Sequence, residues 1–197
     1  RFRICCATVT PSGNEERLGL SVPPDQVKAG GRGKRRLQII FIRHAEAVEA
    51  ADFPGSDLDR PLTRHGWKSA RQAFRRLPHL LVRPGLILHS AARRARETAE
   101  ALAEVYPDVS RREVRALNPG ARHAVFRTLI RRQARRRGAV VLIGHEPDLS
   151  EALADLTGGR CRLRKGAVAV VGDAEGYRLE ALLEPDLLRA MKKPGSG

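Results

Sequence analysis

Three apolar runs in this chain end on residues that could do chemistry. "LQIIFI" (37–42) stops at Arg43-His44, "AVVLIG" (139–144) stops at His145, and "GLILHS" (85–90) closes on His89-Ser90 just ahead of Arg93, Arg94 and Arg96. Arginine donates to phosphate oxygens through a planar fork, in charge-assisted bidentate hydrogen bonds. A histidine surrounded by guanidinium groups resists protonation, and a neutral imidazole is a good nucleophile towards phosphorus. A second histidine can stabilise the transferring group or carry a proton. The set suits a compact anion, phosphate first. No Gly-rich phosphate loop or Walker motif is present, so that route to nucleotide hydrolysis is not expected.

The elements that must position these residues can be read from periodicity. Strands are expected at 37–43, 85–90 and 139–144, with a short one near 112–117. Helices are expected at 66–77, where Trp67, Ala70, Ala73, Phe74 and Leu77 share a face, and at 92–105, with Ala95, Ala99, Leu102 and Ala103 inward. Two further helices are expected at 121–136 and 147–157. "AVAVV" (167–171) and "YRLEALL" (177–183) flank a Gly-containing turn and form a hairpin at the sheet edge. Strand–helix alternation with unbroken apolar strands predicts an α/β fold. It is a three-layer αβα sandwich: a mainly parallel central sheet, helices on both faces and an antiparallel edge hairpin. Ligands of such sheets bind outside the carboxyl ends of the strands, where Arg43-His44, His89-Ser90 and His145 all fall.

Length and composition bound the rest. The 197 residues suffice for one domain, placed at 37–191. Residues 1–36, with scattered Gly, Pro and Ser and the cluster "GGRGKRR", read as a disordered basic extension, and 192–197 as a frayed tail. No apolar run approaches the roughly 18–20 residues of a membrane span, and no secretory leader is recognisable, so a cytoplasmic protein is expected. Cys5, Cys6 and Cys161 form neither a metal spacing nor a disulfide framework. The net charge of +15 includes ten arginines against one glutamate over 111–137. Only six of the 37 basic residues are lysine, and aromatics are 4%, so the excess reads as arginine-biased composition and nucleic acid is not the expected partner. A metal site is the rival reading for two histidines near carboxylates, but the spacing matches no zinc pattern and adjacent arginines repel a cation. No metal and no cofactor are expected. His65, His79, His89 and His123 are given no role.

Four motifs, in order and at similar spacing, resemble the histidine phosphatase superfamily, which has the phosphoglycerate mutase-like fold, and within it the small SixA-like phosphohistidine phosphatases. "RHA" (43–45) is similar to the family's RHG signature. "RPLTRHG" (60–66) carries its RPLTxxG element in full, and "SAARRARET" (90–98) matches SPxxRAxQT, with Arg94 and Thr98 at the arginine and threonine. "GHEP" (144–147) matches GHxP. The resemblance spans roughly 37–191, with "KGAVAVV" and "EPDLLRAM" similar to the SixA-like closing hairpin and tail. It implies that His44 is the nucleophile and is transiently phosphorylated, that Arg43, Arg94 and His145 ring the phosphoryl group, and that Arg60 and Asp57 bind substrate on the rim. Ala45 for glycine favours the SixA-like branch, while Ala91 for proline and Glu97 for glutamine alter the helix start only slightly.

The long insertions that carry the acid in the mutases and phytases are absent. An alkoxide leaving group needs a proton supplied, whereas imidazole titrates at about 6.5 and leaves readily. A short chain also leaves the pocket open to a protein-borne group. The sequence therefore points to a metal-independent phosphatase acting on phosphohistidine, with Glu46, Asp57 or Asp59 as the available acids. Its partner is a phosphohistidine-bearing protein or a small phosphorylated substrate. The alternatives are a phosphomonoesterase of the same superfamily and a non-catalytic polyanion-binding module using the 111–137 surface.

Overall fold

The computed structural model describes residues 37–134, 138–173 and 176–191. The expected extension over 1–36 with Cys5 and Cys6, the tail at 192–197 and the arginines at 135–137 lie outside the described residues.

Six strands form one sheet: β1 (Gln38–Arg43), β2 (Pro84–His89), β3 (Arg111–Glu113), β4 (Ala139–Gly144), β5 (Val168–Gly172) and β6 (Arg178–Leu183). Their order across the sheet is β3-β2-β4-β1-β5-β6. The pairs β2/β3, β2/β4 and β1/β4 are parallel, and β5 runs antiparallel to both β1 and β6. The one reversed strand belongs to the edge hairpin expected from "AVAVV" and "YRLEALL".

Strand side chains alternate between faces, and the helices cover both. On one side, Ile40, Ile42, Val141 and Ile143 pack with Ala70, Ala73 and Phe74 of α1 (Arg64–Phe74), with Ala95, Ala99 and Leu102 of α2 (Arg93–Ala103), and with Leu188 of a final helix at Pro185–Ala190. On the other, Ile39, Phe41, Val140 and Leu142 meet Phe126 and Ile130 of α3 (His123–Ala134) and Leu149, Ala152 and Leu153 of α4 (Asp148–Thr157). Both faces of β1 and β4 are thus dry, which explains why these strands read as unbroken apolar runs.

Two elements differ from expectation. The strand foreseen at 112–117 pairs only over Arg111–Glu113. After Val114 N–H donates to His89 O (2.8 Å), the chain turns into a 3-10 turn at Arg115–Leu117 instead of extending the ladder. The helix at Pro185–Ala190, read only as a tail, starts with proline at its first turn, where the missing N–H costs nothing.

Candidate active site

Parallel pairing delivers the expected residues to one edge. His44 N–H donates to Gly144 O and Ser90 N–H to Ile143 O, each at 3.1 Å, so the ends of β1, β4 and β2 are stitched side by side. The rings of His44 and His145 lie 5.1 Å apart, tilted by 53°. Both are buried, at 7% and 2% exposure.

The hydrogen bonds fix the tautomer of each ring. His44 Nδ1 lies 2.7 Å from Ala45 O. A carbonyl only accepts, so Nδ1 carries the proton and Nε2 keeps its lone pair. Arg94 Nε donates to that nitrogen at 3.3 Å. Burial, then His145 beside it, and then the Arg94 and Arg43 charges hold the His44 imidazole well below its usual range, against the pull of the Ala45 carbonyl. His44 is neutral at physiological pH.

His145 is set by a relay. Asn118 accepts from Ala91 N–H at 2.9 Å, which identifies the contacting atom as the amide oxygen. Ser90 Oγ donates its only proton to that same oxygen at 2.9 Å, while accepting Ala92 N–H at 3.0 Å. Ser90 Oγ can then only accept from His145 Nε2, 2.9 Å away. His145 is therefore the Nε2–H tautomer. Its Nδ1 is a buried lone pair with no partner among the described residues. Burial and, next, the Arg94 charge lower the His145 imidazole to about 3. Asp148 Oδ2 accepts Gly120 N–H at 2.9 Å and so ties the loop after Asn118 to the start of α4.

The arginines take two kinds of position. Arg94, only 3% exposed on the first turn of α2, engages each guanidinium nitrogen once, Nε on His44, Nη1 on Asp57 O (2.6 Å) and Nη2 on Asp57 Oδ2 (2.9 Å), which leaves two of its five N–H groups. Arg43 donates through Nη1 to Leu163 O (2.9 Å), and its buried Nε has no partner among the described residues. Arg60 lies one layer out, with Nε on Asp57 Oδ1 (2.8 Å) and Nη1 on Val48 O. Asp57, expected on the substrate rim, is thus the tether between two guanidiniums. Burial pushes its carboxyl up, but the hydrogen bonds from Arg60 and Arg94 outweigh this and hold it below the usual carboxylate range.

The segment carrying Arg60 is held by residues to which the sequence assigns little. Glu97 Oε2 accepts Leu62 N–H at 2.6 Å, and its Oε1 pairs with Arg93 Nε at 2.7 Å. Thr63 caps α1 by accepting Gly66 N–H (2.9 Å), and its hydroxyl donates to Glu46 Oε1 (2.6 Å). Gly66 must be glycine because a Cβ there would lie 2.0 Å from Glu46 O. Thr98 accepts Ala45 N–H (3.0 Å) and donates to Arg94 O (2.7 Å), joining the loop after His44 to the helix that carries Arg94. Sequence reasoning named Thr98 without a task and missed Asn118 entirely. Only the Asn118-Pro119-Gly120 run, a polar residue ahead of a chain break, marked the spot. Among the described residues, no group of three or more His, Cys, Asp or Glu side chains converges to hold a metal ion.

A model of the histidine phosphatase superfamily (branch 1) matches residues 39–121. An uncharacterised protein of Picosynechococcus sp. is 35% identical over 137 residues, which is 67% of this chain and 82% of the relative. A protein assigned as phosphohistidine phosphatase SixA from Agrobacterium tumefaciens superposes with a TM-score of 0.66 at 27% identity, covering 75% of this chain and 98% of its own. The protein histidine phosphatase SixA complexed with tungstate gives a TM-score of 0.70 at 23% identity, over 77% and 99% of the two chains.

Proposed function

Since the chain belongs to the histidine phosphatase superfamily, among its SixA-like members, and is a phosphatase, we propose that it removes the phosphoryl group from phosphohistidine through a covalent intermediate on His44. The observation that carries this reading is the locked tautomer of a neutral, buried His44. With Nδ1–H bound to Ala45 O, Nε2 is the ring nitrogen that keeps a lone pair for attack, held in the resting site by a long hydrogen bond from Arg94 Nε.

In the first step Nε2 forms a bond to phosphorus as the substrate's P–N bond breaks, and the leaving ring, already protonated from solvent on its other nitrogen, takes the bonding pair and departs as neutral imidazole. In the second, water attacks phospho-His44, the new P–N bond breaks and inorganic phosphate departs. Arg94 and Arg43 balance charge on the phosphoryl oxygens throughout. His145, with a lone pair at Nδ1, accepts a proton; it suits the attacking water or a protonated phosphate oxygen.

The choice of substrate rests on the acids. A hydrogen bond from Thr63 is the main cause that lowers the Glu46 carboxyl, and Arg60 and Arg94 outweigh burial to lower that of Asp57. Both are ionised at neutral pH and are poor proton donors. Phosphoramidates, whose leaving group needs little help, fit such a site better than alkyl phosphates.

The test is to incubate the protein, with a chelator present, with a phosphohistidine protein and separately with alkyl phosphates. Acid-labile phosphate on His44 and faster turnover of phosphohistidine are expected. Full activity in His44→Ala would refute the mechanism, and preference for the esters would refute the substrate.

A further inference from the structure

Beside the phosphoryl pocket lies a second cavity of about 410 Å³, which shares Arg43 and Ala45 with it. Its far wall is the loop 162–166, between α4 and β5. That loop is stapled to the nucleophile strand at two points. Leu163, fully buried, accepts from Arg43 Nη1 and donates its N–H to Glu146 Oε1 (3.3 Å). Gly166 N–H donates to both Arg43 O and His44 O, at 3.1 Å each. With Leu163 turned in, Arg162, Arg164 and Lys165 are left exposed on the rim of the site.

The charge of this cavity is one-sided. Arg43, Arg162, Arg164, Lys165 and Arg189 line it against the carboxylates of Glu46 and Asp186. Both carboxylates are already engaged: Asp186 with Arg189 (2.5 Å) and Arg164 (3.5 Å), Glu46 with Thr63 and His65 (3.1 Å). Lys165 reaches out to the exposed Glu49 (2.7 Å), and Arg162 has no ion-pair partner among the described residues. Arg43 and Arg162 line the same cavity, and Arg43 is lowered by burial and, more weakly and against the pull of Glu146, by the Arg162 charge. Counterions meet this charge only in part, Glu146 acting on Arg43 and Glu49 on Lys165, so an arriving anion relieves the repulsion that remains.

We infer that this cavity is a second anion subsite, in which Arg162, Lys165 and Arg43 receive a carboxylate or phosphate carried by the substrate next to the group being transferred. The inference rests on the reading of the His44 pocket as the phosphoryl site, and it narrows the substrate to one with a second negative group. That group can sit on a protein, as Asp or Glu flanking the phosphohistidine, or on a small molecule.

The test is binding, which does not depend on turnover. Phenylphosphonate and carboxyphenylphosphonate are titrated into the full chain by calorimetry at low salt. The carboxylate is expected to tighten binding roughly three- to tenfold, the sum of two exposed charge pairs, and to lose that advantage at high salt. In R162Q/K165Q the ratio of the two affinities should fall towards one, while Arg160→Gln, on the same loop but off the cavity, keeps it. Equal binding of the two phosphonates, no binding of either, or an unchanged ratio in R162Q/K165Q would overturn the subsite. Phosphohistidine peptides with flanking Glu or Gln assign the source. A Glu preference places the anion on a protein, and its absence beside a phosphonate effect places it on a small molecule. If no phosphohistidine peptide is hydrolysed while the phosphonates still discriminate, the proposed substrate fails and the subsite stands.

Discussion

The proton on His145 offers the sharpest test of the site, because its position follows from a chain of hydrogen bonds with no free choice. Ala91 N–H fixes the Asn118 oxygen, that oxygen takes the Ser90 proton, and Ser90 can only accept from His145 Nε2. To reverse the tautomer, two lone pairs must face each other, or the Ser90 hydroxyl must abandon Asn118. Either change leaves a buried group unpaired, at a cost of roughly 1–3 kcal/mol. The Nε2–H form should therefore outnumber the other between about fivefold and a hundredfold or more. Nitrogen-15 NMR of the imidazole rings distinguishes the two directly. The wild type should show a protonated Nε2 and an unprotonated Nδ1 across pH 5–8. Asn118→Ala frees the Ser90 hydroxyl to donate to His145, so the tautomers should approach equal population. Asn118→Asp, which still accepts from Ser90, should keep the wild-type form. A wild-type His145 protonated at Nδ1, or an Asn118→Ala ring indistinguishable from wild type, would refute the relay and the proton-accepting task given to Nδ1.

Three other expectations concern stability. His44 and His145 are both held below 6.5, His145 at about 3, so in that window the unfolded chain binds protons that the folded chain does not. Stability should be lost as pH falls below 6.5, by about 2 kcal/mol from His145 between pH 7 and 5 and further in the same direction from His44, and denaturant titrations should show a flatter dependence in a His44→Asn/His145→Asn variant. An equally steep fall in that variant would acquit the two rings. Glu97→Ala strands the Leu62 N–H and should cost about 1–3 kcal/mol, or some 2–4 °C in Tm per kcal/mol, while Glu97→Gln keeps that acceptor and should lose less. Gly66→Ala would ordinarily add about 1 kcal/mol to a helix. Here its Cβ meets the Glu46 carbonyl, a backbone atom 2.0 Å away, so a net loss of about 2 kcal/mol or more should appear as a lower Tm.

What the sequence disclosed, and what it hid, divides along one physical line. β1, β2 and β4 are buried on both faces, so their runs were unbroken, and the residues at their ends were legible as one edge before any pairing was known. Arg43, His44, Arg94 and His145 follow from those ends and from motifs a few residues long. The relay was hidden because Asn118 reaches Ser90 across 28 residues, through a loop with no period. Glu97 looked like a minor exchange for glutamine, yet its two oxygens serve separate segments, which no local pattern reveals. Charge along the chain says as little about the site. The densest basic run lies over 111–137, but density along a chain is not potential at a site. Besides Arg43, Arg94 and Arg60, exposed cations beside the site come from Arg162, Arg164 and Lys165, on a loop held by two backbone staples from Gly166 and by one buried leucine.

If the pocket receives phosphate as proposed, the same electrostatics decide which leaving groups it can serve. On the proposed reading guanidiniums stabilise the phosphoryl oxygens, and their charge adds to burial and His145 in keeping His44 unprotonated. The same field acts on any carboxyl within its reach, as on Asp57, whose two oxygens are held by Arg60 and Arg94 and whose proton is expelled accordingly. A general acid can coexist with such a clamp only if it stands apart from the arginines, on added chain. In this chain the nearest candidates, Asp57 and Glu46, are both shifted towards the ionised form. A leaving group that readily takes its proton from water is then the one that the pocket can release, and imidazole meets that condition where an alkoxide does not.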